Sequence, residues 1–215
     1  NSFKEILLSG DDLSLTITSL TSRENQLWIG TLNGVYKMNV KTEGIVSYNV
    51  SSGLSHNSVG DILITKTGDI FIGTRSAFLN KFNDGIFEKI RLTPEYDIVT
   101  VNKLIESSDG AIWISTSDNG VFRVGENILN ISVLDGLASN YCYGIEQDVK
   151  GRMWVMHSGG LSRVVFDIES KGFRIELYGA KHGMSKRFLR NSISKFNNQL
   201  WFGSENGAVL YNATE

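Results

Sequence analysis

The chain has 215 residues, and its 21 lysines and arginines against 23 acids leave a net charge of −2, so no basic field is present to gather DNA or RNA. No apolar run approaches the roughly 20 residues of a membrane helix and no apolar leader stands at Asn1, so the chain is expected to be soluble, as a mature or excised domain. Cys142 is the only cysteine, which excludes an internal disulfide and a multi-cysteine zinc site.

Twenty-two glycines against one proline, with 10% aromatics, suit many short strands joined by tight turns. Residues 3–8 form a candidate strand with no neighbour of its own. A first strand is then expected over 16–20, a turn at Asn25, a second strand Leu27-Trp28-Ile29-Gly30-Thr31, a turn at Asn33-Gly34, a third strand from Val35 and a fourth over 44–48. The order returns with 59–64, Gly68, Phe71, an irregular turn at Ser76-Ala77, and 86–92. It returns again with 101–105, Gly110, Trp113, Asn119-Gly120, Val121 and 128–134, and then with 142–146, Gly151, Trp154, Gly159-Gly160, Leu161 and 173–178. The last copy has 193–196, Asn198, Trp201, Asn206-Gly207 and Ala208, and stops at Tyr211.

The five aromatics lie 43, 42, 41 and 47 residues apart, the length of one four-stranded antiparallel unit. The fold expected is therefore all-β, a single domain over 1–215 forming a β-propeller of five four-stranded blades, at about 10–48, 53–92, 95–134, 136–178 and 183–211. Two accounts of the ring stay open. Strand 3–8 completes the last blade and removes two exposed sheet edges, or the five blades are part of a longer ring, seven blades requiring about 300 residues. Glycines 18 residues before the aromatic, Gly10, Gly53, Gly136 and Gly183, mark the crossing from one blade to the next, and Leu54, Leu137 and Met184 after them are expected to plug between blades.

The run LWIGTLNGVY, its copies AIWISTSDNGVF, RMWVMHSGGL and QLWFGSENGAVLY, and the crossings Gly53-Leu54-Ser55-His56-Asn57 and Gly136-Leu137-Ala138-Ser139-Asn140 resemble the two-component regulator propeller repeat. That repeat builds the extracytoplasmic sensor region of hybrid two-component systems in gut Bacteroidetes. The resemblance implies a periplasmic fragment of an inner-membrane receptor, followed in the whole protein by a β-sandwich, a membrane helix and kinase and regulator modules. It implies an oligosaccharide or other small molecule as ligand, a homodimer in the full-length protein, no cofactor, and membrane contact only through downstream segments. Phe71 in place of tryptophan, Ser115 and Met156 in place of glycine, and His157 where other copies carry Thr31, Thr74, Thr116 and Ser204 depart from the pattern.

In such a fold the crossings and the turns between second and third strands open on one face, and residues that break the repeat are not explained by it. On that face stand His56, Asn57, Arg75, Asn140, Tyr141, His157, Arg187 and Arg190. Aromatic rings stack on sugar CH groups and planar donors and acceptors pair hydroxyls, so this set is expected to bind a saccharide. The structural reading stands beside it: His157 as a hydrogen-bonded strand-edge histidine, Tyr141 as packing between blades. The basic run Lys181, His182, Lys186, Arg187 and Arg190, placed in the longest crossing, suits a solvated loop or an acidic saccharide. The three histidines show no HExxH spacing, and no GxSxG elbow or phosphate-cradling loop occurs. The function expected is ligand sensing, with a protein-interaction ring and a polysaccharide-cleaving propeller as competing readings.

Overall fold

The computed structural model describes residues 3–8, 15–157, 160–167, 169–170, 172–184, 188–205 and 207–212. The chain divides into two compact units, residues 1–90 and 91–215. The first holds two four-stranded antiparallel sheets: β1 (Ile17–Arg23), β2 (Gln26–Thr31), β3 (Gly34–Asn39) and β4 (Ile45–Tyr48), then β5 (Val59–Ile64), β6 (Ile70–Thr74), β7 (Phe78–Asn83) and β8 (Ile86–Arg91), whose last residue passes the division. The second unit holds β9 (Val101–Glu106), β10 (Ile112–Thr116), β11 (Val121–Val124) and β12 (Ile128–Ile131), then β13 (Cys142–Gln147), β14 (Met153–His157), β15 (Gly160–Phe166) and β16 (Phe173–Tyr178), and a three-stranded sheet of β17 (Phe188–Phe196), β18 (Gln199–Ser204) and β19 (Gly207–Asn212). This is the all-β, propeller-type arrangement of blades expected from the repeat.

Each sheet runs in chain order, and first strands of successive blades lie side by side, β1 on β5 in the first unit and β9 on β13 on β17 in the second. Every first strand carries a register shift near its start, as between Ile17 and Ser19 and between Val59 and Asp61. In the first four blades one extra residue there bends the strand and increases its twist. The crossings are short 3-10 turns, Val50–Ser52, Val133–Asp135 and Ala180–His182, closed by Gly53, Gly136 and Gly183 in the left-handed region. Leu54 and Leu137 follow as buried plugs of their blade junctions, as their repetition predicts.

The cores are these junctions. Trp28, Val35, Leu54, Ile62, Ile72 and Phe82 form the one between the first two blades. Trp113, Ile131, Leu137, Ile145 and Val164 form the one between blades three and four, and Trp154, Leu161, Phe188 and Phe202 the next.

Four expectations are corrected. Residues 3–8 form no strand; Lys4 instead pairs with Glu43 at 2.5 Å, on the turn between β3 and β4. The strand expected over 128–134 ends at Ile131, because Ser132 caps the 3-10 turn that follows, accepting from the Leu134 amide. The left-handed residue of the first hairpin is Glu24, with φ 56°, rather than Asn25. The long 47-residue step does not lengthen the last crossing: Gly183 stands 18 residues before Trp201, as Gly136 does before Trp154. The extra residues lie between β15 and β16, where Leu161 and its partner Tyr178 are 17 residues apart, against 13 for Val35 and Tyr48 and 10 for Val121 and Ile131.

Candidate ligand-binding surface

In the first unit His56, Asn57 and Arg75 come together around Ser58. The Ser58 amide donates to His56 Nδ1 at 2.9 Å, and the Arg75 amide donates to the Ser58 carbonyl at 3.0 Å. His56 and Asn57 are half-buried and Arg75 is exposed. Asn57 is held by structure on two sides: its Oδ1 accepts from the Val50 amide at 2.9 Å and its main-chain carbonyl from the Gly34 amide at 2.8 Å. Asn140 repeats both bonds in the second unit, from Val133 at 2.9 Å and from Gly120 at 2.9 Å. The asparagine that ends each crossing therefore ties the 3-10 turn to the preceding hairpin, a role the repeat itself requires.

Tyr141, half-buried, meets Tyr143 edge to face at 5.2 Å. His157 is fully buried, and its Nε2 pairs with Ser162 Oγ at 2.8 Å. Burial pushes its imidazole down to about 4, so at neutral pH the ring is uncharged and closed to a ligand. This is the geometry of the hydrogen-bonded structural histidine that stands beside the ligand reading. Of the basic run, Lys181 and His182 sit in the 3-10 turn, with His182 Nδ1 accepting from the Gly179 amide at 3.1 Å and its ring 5.2 Å from Tyr178. Lys186 and Arg187 lie outside the described residues, as does the side chain of Arg190.

The sequence reading passed over a second periodicity. Opposite the aromatic of each of the first four blades stands a cation: Lys37 beside Trp28, Lys81 beside Phe71, Arg123 beside Trp113 and Arg163 beside Trp154. Lys37 lies 5.4 Å from the centre of the Trp28 ring, Lys81 5.7 Å from that of Phe71, and Arg163 5.4 Å from that of Trp154, distances at which the ring quadrupole attracts a cation. Lys81 pairs with Asp69 at 2.8 Å, Arg123 with Asp109 at 2.5 Å, and Arg163 with Glu176. A basic residue nine or ten positions after each of the first four aromatics was the available signal.

Arg123 also borders two adjoining clefts of about 280 and 250 Å³ between blades three and four. They open at the ends formed by the β9–β10, β11–β12 and β13–β14 turns, opposite to the ends that carry the expected site residues. Their walls share Asp109, Arg123 and Phe166, with the guanidinium 4.0 Å from the centre of the Phe166 ring. Burial acts to raise the Asp109 carboxyl, but hydrogen bonds from Ser107 and Arg123 outweigh it and hold the group below the usual carboxylate range. The clefts therefore present an ionised, mutually neutralising pair beside an aromatic ring. Among the described residues no group of three or more His, Cys, Asp or Glu is placed to hold a metal ion.

No family model and no curated protein matches the chain. Solved structures do. The extracellular domain assigned to the hybrid two-component system BT3049 of B. thetaiotaomicron superposes with a TM-score of 0.81 at 23% identity, over 98% of this chain and 29% of that one. The extracellular domain assigned to BT4673 of the same organism gives 0.71 at 20% identity, over 90% and 27%. Virginiamycin B lyase from Staphylococcus aureus, an enzyme, gives 0.67 at 15% identity, over 91% of this chain and 69% of the lyase. The chain thus spans under a third of the two B. thetaiotaomicron domains, and shares with them and with the lyase the propeller fold that its repeat announces.

Proposed function

We propose that this chain is part of the extracytoplasmic, ligand-sensing region of a two-component receptor, that it lies in the periplasm, and that it recognises an oligosaccharide whose binding shifts the receptor between signalling states. The observation that carries the reading is the superposition on the BT3049 extracellular domain along nearly the whole chain, joined to a repeat that resembles the sensor propeller. A binding protein transmits a signal only through differential affinity for two states, and full-length receptors of this kind are taken to act as homodimers. No cofactor enters the reading. The test is a reporter strain carrying the complete receptor and its target promoter, grown on defined plant, host and microbial oligosaccharides. At least one glycan is expected to induce the reporter, and deletion of residues 15–212 to abolish induction. Induction that survives the deletion overturns the proposal.

We further infer that the five blades belong to a longer ring. In blades one to four the repeat aromatic is at most 9% exposed, with Phe82 of the following blade against Trp28 and Tyr211 against Trp154. Trp201 is 39% exposed. At the other end, Leu20 is 61% exposed, whereas its repeat equivalents Ile62, Leu104 and Ile145 are buried. Both are faces that a neighbouring blade of this repeat covers, and a further blade on each supports the ring of greater length.

A further inference from the structure

The junction between blades three and four departs from those of blades one and two and of blades four and five. In the first blade Trp28 is flanked by Tyr48, which pairs with Val35, and by Phe82, which pairs with the residue preceding the next aromatic. At the fourth blade Trp154 is flanked by the equivalents Tyr178 and Tyr211, at 5.1 and 4.3 Å. At Trp113 the same two positions hold Ile131 and Val164. Relative to those two junctions, two aromatic rings are replaced by aliphatic side chains, and one of these, Val164, lines the second cleft. The lengthened β15 brings Phe166 to the far wall, 6.4 Å from Trp113. Packing alone does not call for this, because interiors otherwise fill such space.

We propose that the blade three–four cleft is a binding subsite for a neutral saccharide of one or two rings; the choice of sugar rests on the sensory reading above. Met153, Val164 and Phe166 offer apolar surface for pyranose CH groups, while Asp109 accepts and Arg123 donates hydrogen bonds at the same wall. Charge excludes the other classes. An anion meets Asp109 and Glu126, a cation meets Arg123 and Lys150, and a purely apolar ring leaves the ion pair desolvated without partners. Volumes of about 280 and 250 Å³ fall just below the roughly 300–1,000 Å³ of drug-sized ligand sites, which sets the limit of one or two rings.

The test is Val164→Phe, which restores the ring that Phe82 and Tyr211 supply elsewhere, with Phe166→Ala as a second variant that removes the aromatic wall, and Leu134→Ala, at an exposed side chain on the 3-10 turn at the opposite end, as a control. Glucose, galactose, mannose, xylose, arabinose, maltose and cellobiose are titrated into each protein and followed by thermal shift and saturation-transfer NMR. At least one sugar is expected to bind the unaltered protein. Val164→Phe is expected to melt higher and, like Phe166→Ala, to lose affinity by about tenfold or more, while Leu134→Ala binds normally. Undiminished binding to both cleft variants, or loss only in Leu134→Ala, overturns the cleft and leaves the sensory function standing. Absence of binding by every sugar to the unaltered protein overturns the saccharide subsite, while the receptor's function is read separately by the reporter strain.

Discussion

His157 stands where Thr31, Thr116 and Ser204 each donate a hydroxyl hydrogen bond to the glycine carbonyl of their hairpin, at 2.9, 2.8 and 3.0 Å. Imidazole is too large for that local bridge and reaches across to Ser162 instead. Its cost appears in acid. The folded state keeps the ring neutral down to about pH 4, whereas the unfolded chain takes up a proton near 6.5. Between these values the unfolded state binds more protons, so stability present above pH 6.5 is lost as pH falls, by roughly 3 kcal/mol in full. His157→Thr, which restores the hydroxyl of the other blades, is expected to flatten this part of the pH profile in urea denaturation measured from pH 7 to 4. A slope unchanged in the variant assigns the loss to other groups. The sequence showed that position 157 breaks the repeat, but not that the break points inward. Deviation marks a candidate, and only burial separates a ligand contact from a packing solution.

At the level of strands and crossings the reading was far more secure. The four-stranded order, the hairpin glycines and the plugs Leu54 and Leu137 all followed from spacing, because steric demands on backbone and core recur identically in each copy. The asparagines were harder. Asn57 and Asn140 share a chemistry that suits sugars and a position that suits capping, and composition does not separate the two. Their paired bonds do: each accepts from the first amide of a 3-10 turn, as a helix N-cap side chain accepts from orphan amides. Asn140→Ala is therefore expected to lower stability by about 1 kcal/mol in the absence of any ligand, and Asn140→Asp, which keeps the acceptor, to lower it less. Unchanged stability in the alanine variant together with lost sugar binding would restore the ligand role. The blade three–four cleft was illegible for another reason. It depends on which residues from separate blades meet, and the positions of Ile131 and Val164 against Trp113 emerge only once strand register is known.

For the protein as a whole, the exposed Trp201 on the last blade matters most. A propeller junction buries large aromatic surface, and burial of apolar area contributes about 25 cal/mol per Å². A face bearing Trp201, with Leu210 beside it on β19 at 45% exposure, therefore forgoes stabilisation that the other junctions have. It also leaves β19 as the outer strand described for its sheet, a place where an unpaired edge recruits other chains. On the proposal of a longer ring, further blades satisfy both demands at once. Trp28, Trp113 and Trp154 are buried, so Trp201 is the one tryptophan open to a quencher. Acrylamide is expected to quench one class of tryptophan in the isolated 215-residue chain. A chain extended by further blades is expected to protect Trp201, which Trp201→Phe in each background identifies, and to unfold at a higher temperature. Equal quenching of Trp201 in the short and extended chains would mean that no blade covers it, and would favour a ring that ends with these five.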